Sequence, residues 1–291
     1  MAGTGSIKKS QRASHLWRHA YAWILIAFTF FPIYVVFISA FDPAGGLASS
    51  SLLPSRFSLE NFALLMENSP KLPFWTWMWN SVWVASVTSM LSVIIGTAAA
   101  FAFSRLRFRG RKVGLQLLLL IQVFPAFLAL AAIYVIMENV ATVFPGFGLG
   151  SLGGLLIVYL AGAMGTNAWL LKGFIDTIPM ELDEAAKIDG ASPTQLFFQI
   201  FLPLTTPVLA VTGLLSFIGT FNEFILASLF IQDVEQRTIA VGLQQFISGQ
   251  FGANWGAFAA GSILASVPLV VLFLSLQRYI IGGLVSGSVK G

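Results

Sequence analysis

The sequence predicts an all-α membrane protein with six transmembrane helices and a structured cytoplasmic segment between the fourth and fifth. Three observations predict it. First, charged residues make up 10% of the 291 residues and hydrophobic ones 57%, whereas a soluble domain carries about 25% charged residues. Charges this sparse cannot solvate a globular surface, so most of the chain must face lipid or other helices. Second, apolar runs near 21–41, 81–104, 113–136, 153–171, 204–229 and 258–280 are each long enough to cross a bilayer. None alternates with a period of two, and a helix satisfies its own backbone in lipid as an open strand cannot. Third, the net charge is +4, and the basic residues flank the apolar runs, which suits an anionic membrane surface better than a nucleic acid. The absence of cysteine rules out a disulfide framework and a thiolate metal site.

The first run, residues 21–41, follows Lys8, Lys9, Arg12 and Arg18. The apolar core of a signal peptide is about 7–15 residues, so this longer run reads as a retained first transmembrane helix. With the N-terminus inside, the inner segments hold the four residues just named and Arg105, Arg107, Arg109, Arg111, Lys112, Lys172, Lys187, Arg278 and Lys290. The outer segments hold Arg56, Lys71 and Arg237. This division of the sixteen basic residues, thirteen against three, places both termini in the cytoplasm of a multi-pass protein of the cytoplasmic (inner) membrane. Trp75, Trp77, Trp79 and Trp83 crowd the outer end of the second run, where indole rings suit the headgroup layer or a partner subunit. Pro32, Pro125 and Pro268 fall inside apolar runs and favour kinks. Ala161 and Gly165 give the fourth run a small-xxx-small face for close packing. Outside, residues 42–80 form the longest loop. Residues 230–257 are rich in glutamine and include an amphipathic stretch from Thr238 to Ile247. These loops serve either as docking surfaces or as solvated connectors.

The segment from Lys172 to Pro203 is the one long cytoplasmic connector, and it reads as two short helices. The first starts at Pro179, which suits a first helical position. Glu181, Asp183 and Glu184 complement the helix dipole in its early turns, and Gly190 ends it. The second starts at Ser192, with Pro193 next and Gln195 completing a capping box. Leu196, Phe197, Ile200 and Phe201 form its apolar face, and Leu202-Pro203 marks a break into the fifth span. Such an element either offers a surface on which another protein docks, Ala185 and Ala186 allowing close approach, or lies along the membrane interface.

Glu184-Ala185-Ala186, then three residues, Gly190, then nine residues and Ile200-Phe201-Leu202-Pro203 resemble the cytoplasmic signature of binding-protein-dependent ABC importer permeases at every position and both spacings. Trp79-Asn80-Ser81 and the run from Ala100 to Gly110 resemble carbohydrate-importer permeases, and the tail from Gly282 to Gly291 resembles maltose-importer permeases of the MalG type. The resemblance covers nearly the whole chain. It implies half of a translocation pore, completed by a second, MalF-like permease and served by two MalK-like ATPase copies and an extracytoplasmic sugar-binding protein. ATP and Mg would sit on the ATPase, and this chain would hold no cofactor and catalyse nothing. The Glu-Ala-Ala helix would be the coupling helix in a cleft of the ATPase, with Glu184, Ala185, Ala186, Asp189, Gly190, Ile200, Leu202 and Pro203 as coupling residues. Glu184 would pair with a basic residue there. The tail, with Ser286, Ser288, Lys290 and Gly291, would reach the ATPase interface, and Gly287 between them is assigned no part in it. The loop 230–257 would approach the binding protein. The implied cargo is maltose, maltodextrin or a related α-glucoside such as trehalose, with the partner permease making most sugar contacts.

The implied organisation is a cytoplasmic segment at 1–20, a first span and external loop at 21–80, and a permease core at 81–280 containing the coupling segment 172–203, then a cytoplasmic tail at 281–291. Other functions meet obstacles. The two histidines, His15 and His19, precede the first span and have no nearby third ligand, so neither a histidine-dependent intramembrane enzyme nor a metal site is expected. No aspartate lies inside a run, which excludes an aspartyl pair, and no phosphate-binding loop of the Gly-x-x-x-x-Gly-Lys-Ser/Thr type is present. An ion-coupled secondary transporter would need intramembrane ionisable groups. Glu223, beside Asn222, is the one carboxylate deep in a run, and it either lines the pathway or bonds a neighbouring helix. An importer of another sugar or of a glycerol-phosphate-type solute is the other alternative.

Overall fold

The computed structural model describes residues 4–43, 56–248 and 253–288, and among these every regular element is helical. Five helices are long and apolar enough to cross a membrane: Trp17–Phe41, Phe74–Arg105, Leu152–Ile175, Pro193–Phe221 and Trp255–Ile280. A sixth span is completed if Arg111–Val123 and Leu128–Val143, bent by 104° at Pro125, count as one. The kink expected there is therefore a full break. Pro125 has no N–H for the helical ladder, and the residue before a proline is driven out of helical angles. Phe124 is accordingly extended, at φ −67° and ψ 128°.

The chain divides into two compact units. The first comprises Met1–Glu67 and Gln244–Leu264. It contains α1 (Thr4–Phe41), which starts well before its apolar run, and the short α2 (Glu60–Met66). From Trp17 to Phe31 the side chains of α1 are exposed all round, the pattern of a helix solvated by lipid. The turn after it is closed by buried Asn61, whose Nδ2 donates to the carbonyls of Ala40 (3.1 Å) and Asp42 (3.0 Å). Phe41 packs on Phe57 and Phe62.

The second unit comprises Asn68–Leu243 and Ala265–Gly291. It holds α3 (Phe74–Arg105), α4 (Arg111–Val123), α5 (Ala126–Val143), α6 (Leu152–Ile175), α7 (Glu181–Ile188), α8 (Pro193–Phe221) and α9 (Ile225–Phe230). α10 (Ile239–Gln244) and α11 (Trp255–Ser288) run across the division between the units. α3 is central, packing along α6 and α8. Its inward face is built from small and hydroxyl residues, with Thr88, Ser92, Thr97 and Ala100 all buried. Small side chains let helix axes approach in a membrane bundle, where no hydrophobic effect drives helices together. At Gly96 the approach is so close that a Cβ would lie 3.0 Å from that of Asn167. Asn167 then joins three helices: its Nδ2 donates to Ser92 Oγ and to Ser216 Oγ, both at 2.9 Å. The small-residue face of α6 also packs closely, Gly165 lying against Gln122 of α4.

The fifth span differs from expectation at both ends. The fifth span does not start after Leu202-Pro203. α8 runs through that point from Pro193 to Phe221, with one π-helical turn at Leu196–Phe201. There Leu202 N–H donates to the carbonyl of Phe197, five residues back. Pro203, with no N–H to give, follows directly where the ladder is already offset. The same span also ends early. Residues 222–224 leave the helix before α9 begins, so Glu223 lies at a break and not within a continuous span. Trp77 is corrected as well: it is fully buried, whereas Trp79 is 67% exposed and Trp75 and Trp83 40% each. Three of the four indoles are thus free for an interface and the fourth is core.

Candidate functional site

The coupling segment opens one residue pair later than expected. α7 begins at Glu181, and Pro179 lies outside it. Glu181, Asp183 and Glu184 occupy the first turn and Lys187 the last, a charge order that follows the helix dipole. The helix ends in a Schellman turn: Ala191 N–H donates to Ala186 O (2.9 Å) and Gly190 N–H to Lys187 O (3.1 Å). Gly190 sits at φ +77° with no atom within 4 Å of where a Cβ would be, so backbone angle alone selects glycine. The next residues restart the helix through a complete capping box. Gln195 N–H donates to Ser192 Oγ, and Ser192 N–H to Gln195 Oε1.

The Glu-Ala-Ala motif is split between two faces. Ala186 is buried among Ala100, Phe101, Leu171, Ile175, Leu196 and Phe201, while Glu184, Ala185, Asp189 and Gly190 are exposed. Ile188 joins them at 86% exposure. A large aliphatic side chain held so fully in the open, beside an alanine and a carboxylate, makes a compact mixed surface. Ile200 packs against the same core, Leu202 is half-buried and Pro203 exposed.

The motif did not reveal what holds this surface in place. The side chain of Arg105, the last residue of α3, is 4% exposed and lies with Nε 3.2 Å from Asp183 Oδ2. Its terminal nitrogen donates to the carbonyls of Ile175 (3.0 Å) and Ile178 (2.6 Å), and its guanidinium lies 4.9 Å from the Phe201 ring centroid. One side chain thus grips the end of α6, the turn after it, α7 and α8. Beside it, Ser104 Oγ donates to Asp176 Oδ1 (2.5 Å), and Lys172 pairs with Asp176 Oδ2 (2.5 Å). Burial raises the Asp183 carboxyl above its ordinary range, with Glu184 adding to this, and the opposing charges of Arg105 and Lys187 do not fully offset it. Asp176 behaves oppositely. Partial burial would raise it, but hydrogen bonds from Lys172 and Ser104 and the charges of Lys172 and Arg105 outweigh that, and it lies below the ordinary value. Arg105 stands inside the run from Ala100 to Gly110, and its position at the end of a span was the one available signal.

At the opposite end of α3, the loop from Ile231 to Leu243 is tied down by neutral groups. Trp77 Nε1 donates to Val234 O (2.6 Å), and Asn80 Nδ2 to the carbonyls of Glu235 (2.8 Å) and Arg237 (3.0 Å). Ser81 Oγ accepts from Ile239 N–H (2.7 Å). Gly242 lies directly on the Trp77 ring, where a Cβ would come within 2.1 Å. Asn80 and Ser81 of the tripeptide Trp79-Asn80-Ser81 are therefore loop anchors. In the break after α8, Glu223 acts as a cap for α9: Leu226 N–H (2.8 Å) and Ala227 N–H (3.1 Å) donate to its carboxylate, as does Tyr159 OH (2.5 Å) from α6. Asn222 donates back to Ile218 O. Of the tail, Ser286, Gly287 and Ser288 fall on the last turns of α11, and Lys290 and Gly291 lie outside the described residues. The tail therefore begins as a helix, and Gly287, which the sequence left without a role, is a helical position within it.

The sequence profile of the family described as "Binding-protein-dependent transport system inner membrane component" matches residues 92–284. The chain belongs to this family. The matched region contains Arg105, the coupling segment and Glu223. Similarity to individual permeases extends further. The chain is 41% identical over 283 residues to the maltose/maltodextrin transport system permease protein MalG of Vibrio vulnificus strain YJ016, covering 94% of this chain and 95% of that one. It is 39% identical over 293 residues to MalG of Yersinia pestis, with 97% and 96% covered. With MalG of Escherichia coli K12 it shares 37% over 293 residues, with 97% and 98% covered. Among solved structures, a permease chain of a bacterial ABC transporter that imports the acidic polysaccharide alginate superposes with a TM-score of 0.77 at 21% identity, over 93% of this chain and 97% of that chain. A chain of the inward-facing methionine transporter MetNI superposes at 0.56 and 16% identity, over 78% and 99%. These chains of ABC transporters share its fold.

Proposed function

We propose that this chain is the membrane-spanning permease subunit of an ATP-driven importer of maltose and maltodextrins. It forms half of the pore with a second permease and works with two copies of a separate ATPase and an extracytoplasmic sugar-binding protein. The observation that carries the reading is the two-faced Glu-Ala-Ala segment, presented outward on an ionic base in a chain similar to MalG over nearly its full length. Glu184, Ala185, Ile188, Asp189 and Gly190 form the surface received by the ATPase, Glu184 pairing with a basic group. When two ATPases close on ATP, α7 is displaced. Arg105 passes the displacement to α3, while the capped restart at Ser192 passes it to α8. ATP and Mg belong to the ATPase, and this chain contributes no reacting group.

Both termini lie in the cytoplasm in this reading, following the distribution of basic residues. Residues 1–20 and 281–291 are cytoplasmic segments flanking a first span and loop at 21–80 and a core at 81–280. The tail, with Ser286, Ser288, Lys290 and Gly291 but not Gly287, contributes to the ATPase interface. The partner permease makes most of the sugar contacts. A cavity of about 920 Å³ between α4, α5 and α6 is apolar apart from Gln122 and Thr166, which leaves it too few polar groups to serve an oligosaccharide's hydroxyls. Glu223 is read as a helix-packing group, a reading supported by the hydrogen bonds that both its oxygens accept from α6 and from the start of α9.

Two experiments test the proposal. Mild-detergent purification of the tagged chain should bring down a second permease and an ATPase, whose hydrolysis is stimulated by maltose-loaded binding protein in liposomes. Trehalose and a glycerol phosphate are the comparison solutes. A chain that purifies alone and moves solute under an ion gradient sinks the proposal. Glu184→Lys should leave the assembly intact and abolish the link between hydrolysis and uptake. Undiminished uptake in that variant would remove Glu184 from the coupling surface.

A further inference from the structure

The turn between α3 and α4 has no part in the mechanism above. Residues 106–112 read Leu-Arg-Phe-Arg-Gly-Arg-Lys. Arg107, Arg109 and Lys112 are exposed and Arg111 is half-buried, and none of the four meets a carboxylate among the described residues. Four unneutralised cations within six positions repel one another unless an anion lies between them. Arg107, Arg111 and Lys112, with Phe108, Gly110 and Val113, line a concavity of about 380 Å³.

A second cavity continues along α4. It measures about 310 Å³ and lies between α3, α4 and α6, and its lining, including Ala99, Phe103, Leu117, Leu118, Ile121 and Met164, is apolar throughout. The basic concavity thus takes residues 110–113 of the α4 end, and the apolar slot takes Gly114 to Ile121. Phe108 of the first and Phe103 of the second pack at a tilt with ring centroids 5.5 Å apart, joining the two. Val113, Leu117, Leu120 and Ile121 are more than half exposed, so in a membrane the slot opens toward lipid.

We propose that these two cavities form a binding site for one anionic phospholipid. The phosphodiester lies against Arg107, Arg111 and Lys112, and an acyl chain follows α4 into the slot. Guanidinium groups present paired donors that match phosphate oxygens, and anionic headgroups concentrate beside juxtamembrane cations. A soluble phosphate would use the basic half and leave the apolar half unfilled, so the pairing of the two favours a lipid. The site also adjoins the coupling segment. Arg111 donates to Ser104 O (3.1 Å), and the Ser104 hydroxyl donates to Asp176.

The test is native mass spectrometry of the full-length chain, extracted with its partner subunits into micelles containing phosphatidylglycerol or phosphatidylcholine. One phosphatidylglycerol per copy should survive delipidation that strips phosphatidylcholine. The double substitution Arg107→Gln and Lys112→Gln should weaken its retention about thirtyfold, and Arg107→Lys with Lys112→Arg should restore it. Equal retention of phosphatidylcholine, unchanged retention in the glutamine variant, or inorganic phosphate binding as tightly as phosphatidylglycerol would each overturn the proposal. If the glutamine variant does not fold, the unaltered chain decides. Phosphatidylglycerol with a diazirine on its acyl chain should label Leu117, Leu118, Ile121 or Met164, and labelling that avoids all four would overturn it.

Discussion

At its N-terminal end α3 holds the loop from Ile231 to Leu243 with an indole, an amide and a hydroxyl, all bonded to backbone. At its C-terminal end it holds the coupling segment with a buried guanidinium, a buried carboxylate and a second ion pair beside them. The helix has 32 residues, about 48 Å at 1.5 Å per residue, against a hydrocarbon core of about 30 Å. Both clamps therefore lie near water and must outcompete it. The neutral clamp does so cheaply, since each bond replaces one to water at little desolvation cost. The ionic clamp does so at greater cost. The charges of Arg105 and Asp183 are taken out of water, and a buried pair is weak evidence of net stability, although removing one partner is severe. What the ionic clamp adds is geometry: one planar guanidinium fixes two carbonyls, a carboxylate and a ring at once.

Breaking each clamp should expose this asymmetry. Arg105→Leu leaves Asp183 buried without its partner and should cost about 3–5 kcal/mol, whereas Asn80→Ala should cost about 1–3 kcal/mol. Melting temperatures of the purified chain in one detergent give the order. Asp183→Asn should fall below Arg105→Leu in cost, because Arg105 keeps its bonds to Ile175 and Ile178. A reversed order would mean that the carboxylate, not the guanidinium, organises the segment.

Each clamp also contains a glycine, for different reasons. Gly242→Ala forces a methyl into the Trp77 ring and should cost about 1–3 kcal/mol by overpacking. Gly190→Ala meets open space and should cost about 1–2 kcal/mol through its backbone angle. Asparagine, which tolerates that angle, should be accepted at 190 and rejected at 242. Ser192→Ala removes half of a capping box and should cost about 1 kcal/mol, read as faster hydrogen exchange at the start of α8.

The smallest effect concerns pH. Asp176 is held below its ordinary pKa, so its contribution is full above the unfolded carboxylate value and is lost as pH falls through the folded one. Asp183 is held above its ordinary value and acts with the opposite sign: stability falls as pH rises from the unfolded value through the folded one. Asp176→Asn should therefore close its gap to the unaltered chain in acid, while the effect of Asn80→Ala stays constant across the same titration.

Much of this was legible in the sequence. Apolar runs identified the spans because lipid demands about twenty apolar residues whatever the fold. Their ends were less visible, since a helix continues its hydrogen bonds beyond the run that spans the lipid, as α3 does back to Phe74 and α11 on to Ser288. The capping box at Ser192 and the turn at Gly190 were readable because their partners lie within three to five residues. Arg105 and Asp183 were not read as a pair, because nothing in a periodicity links residues 78 positions apart. The break at Glu223 was hidden by the apolar stretches that flank Asn222-Glu223, and the continuation through Pro203 by a proline that ordinarily stops a helix.

The π turn at Leu196–Phe201 has a consequence best counted in residues. An i→i+5 turn holds one residue more than the α-helix needs to cover the same distance. Each residue turns a helix by about 100°, so the surplus sets how the apolar face of the span beyond Pro203 is rotated against the capped start at Ser192. Deleting one residue from 196–201 would leave both ends chemically intact and yet put the two faces out of phase. This short stretch works as a spacer whose length, more than its composition, aligns the coupling segment with the membrane-spanning helix that follows.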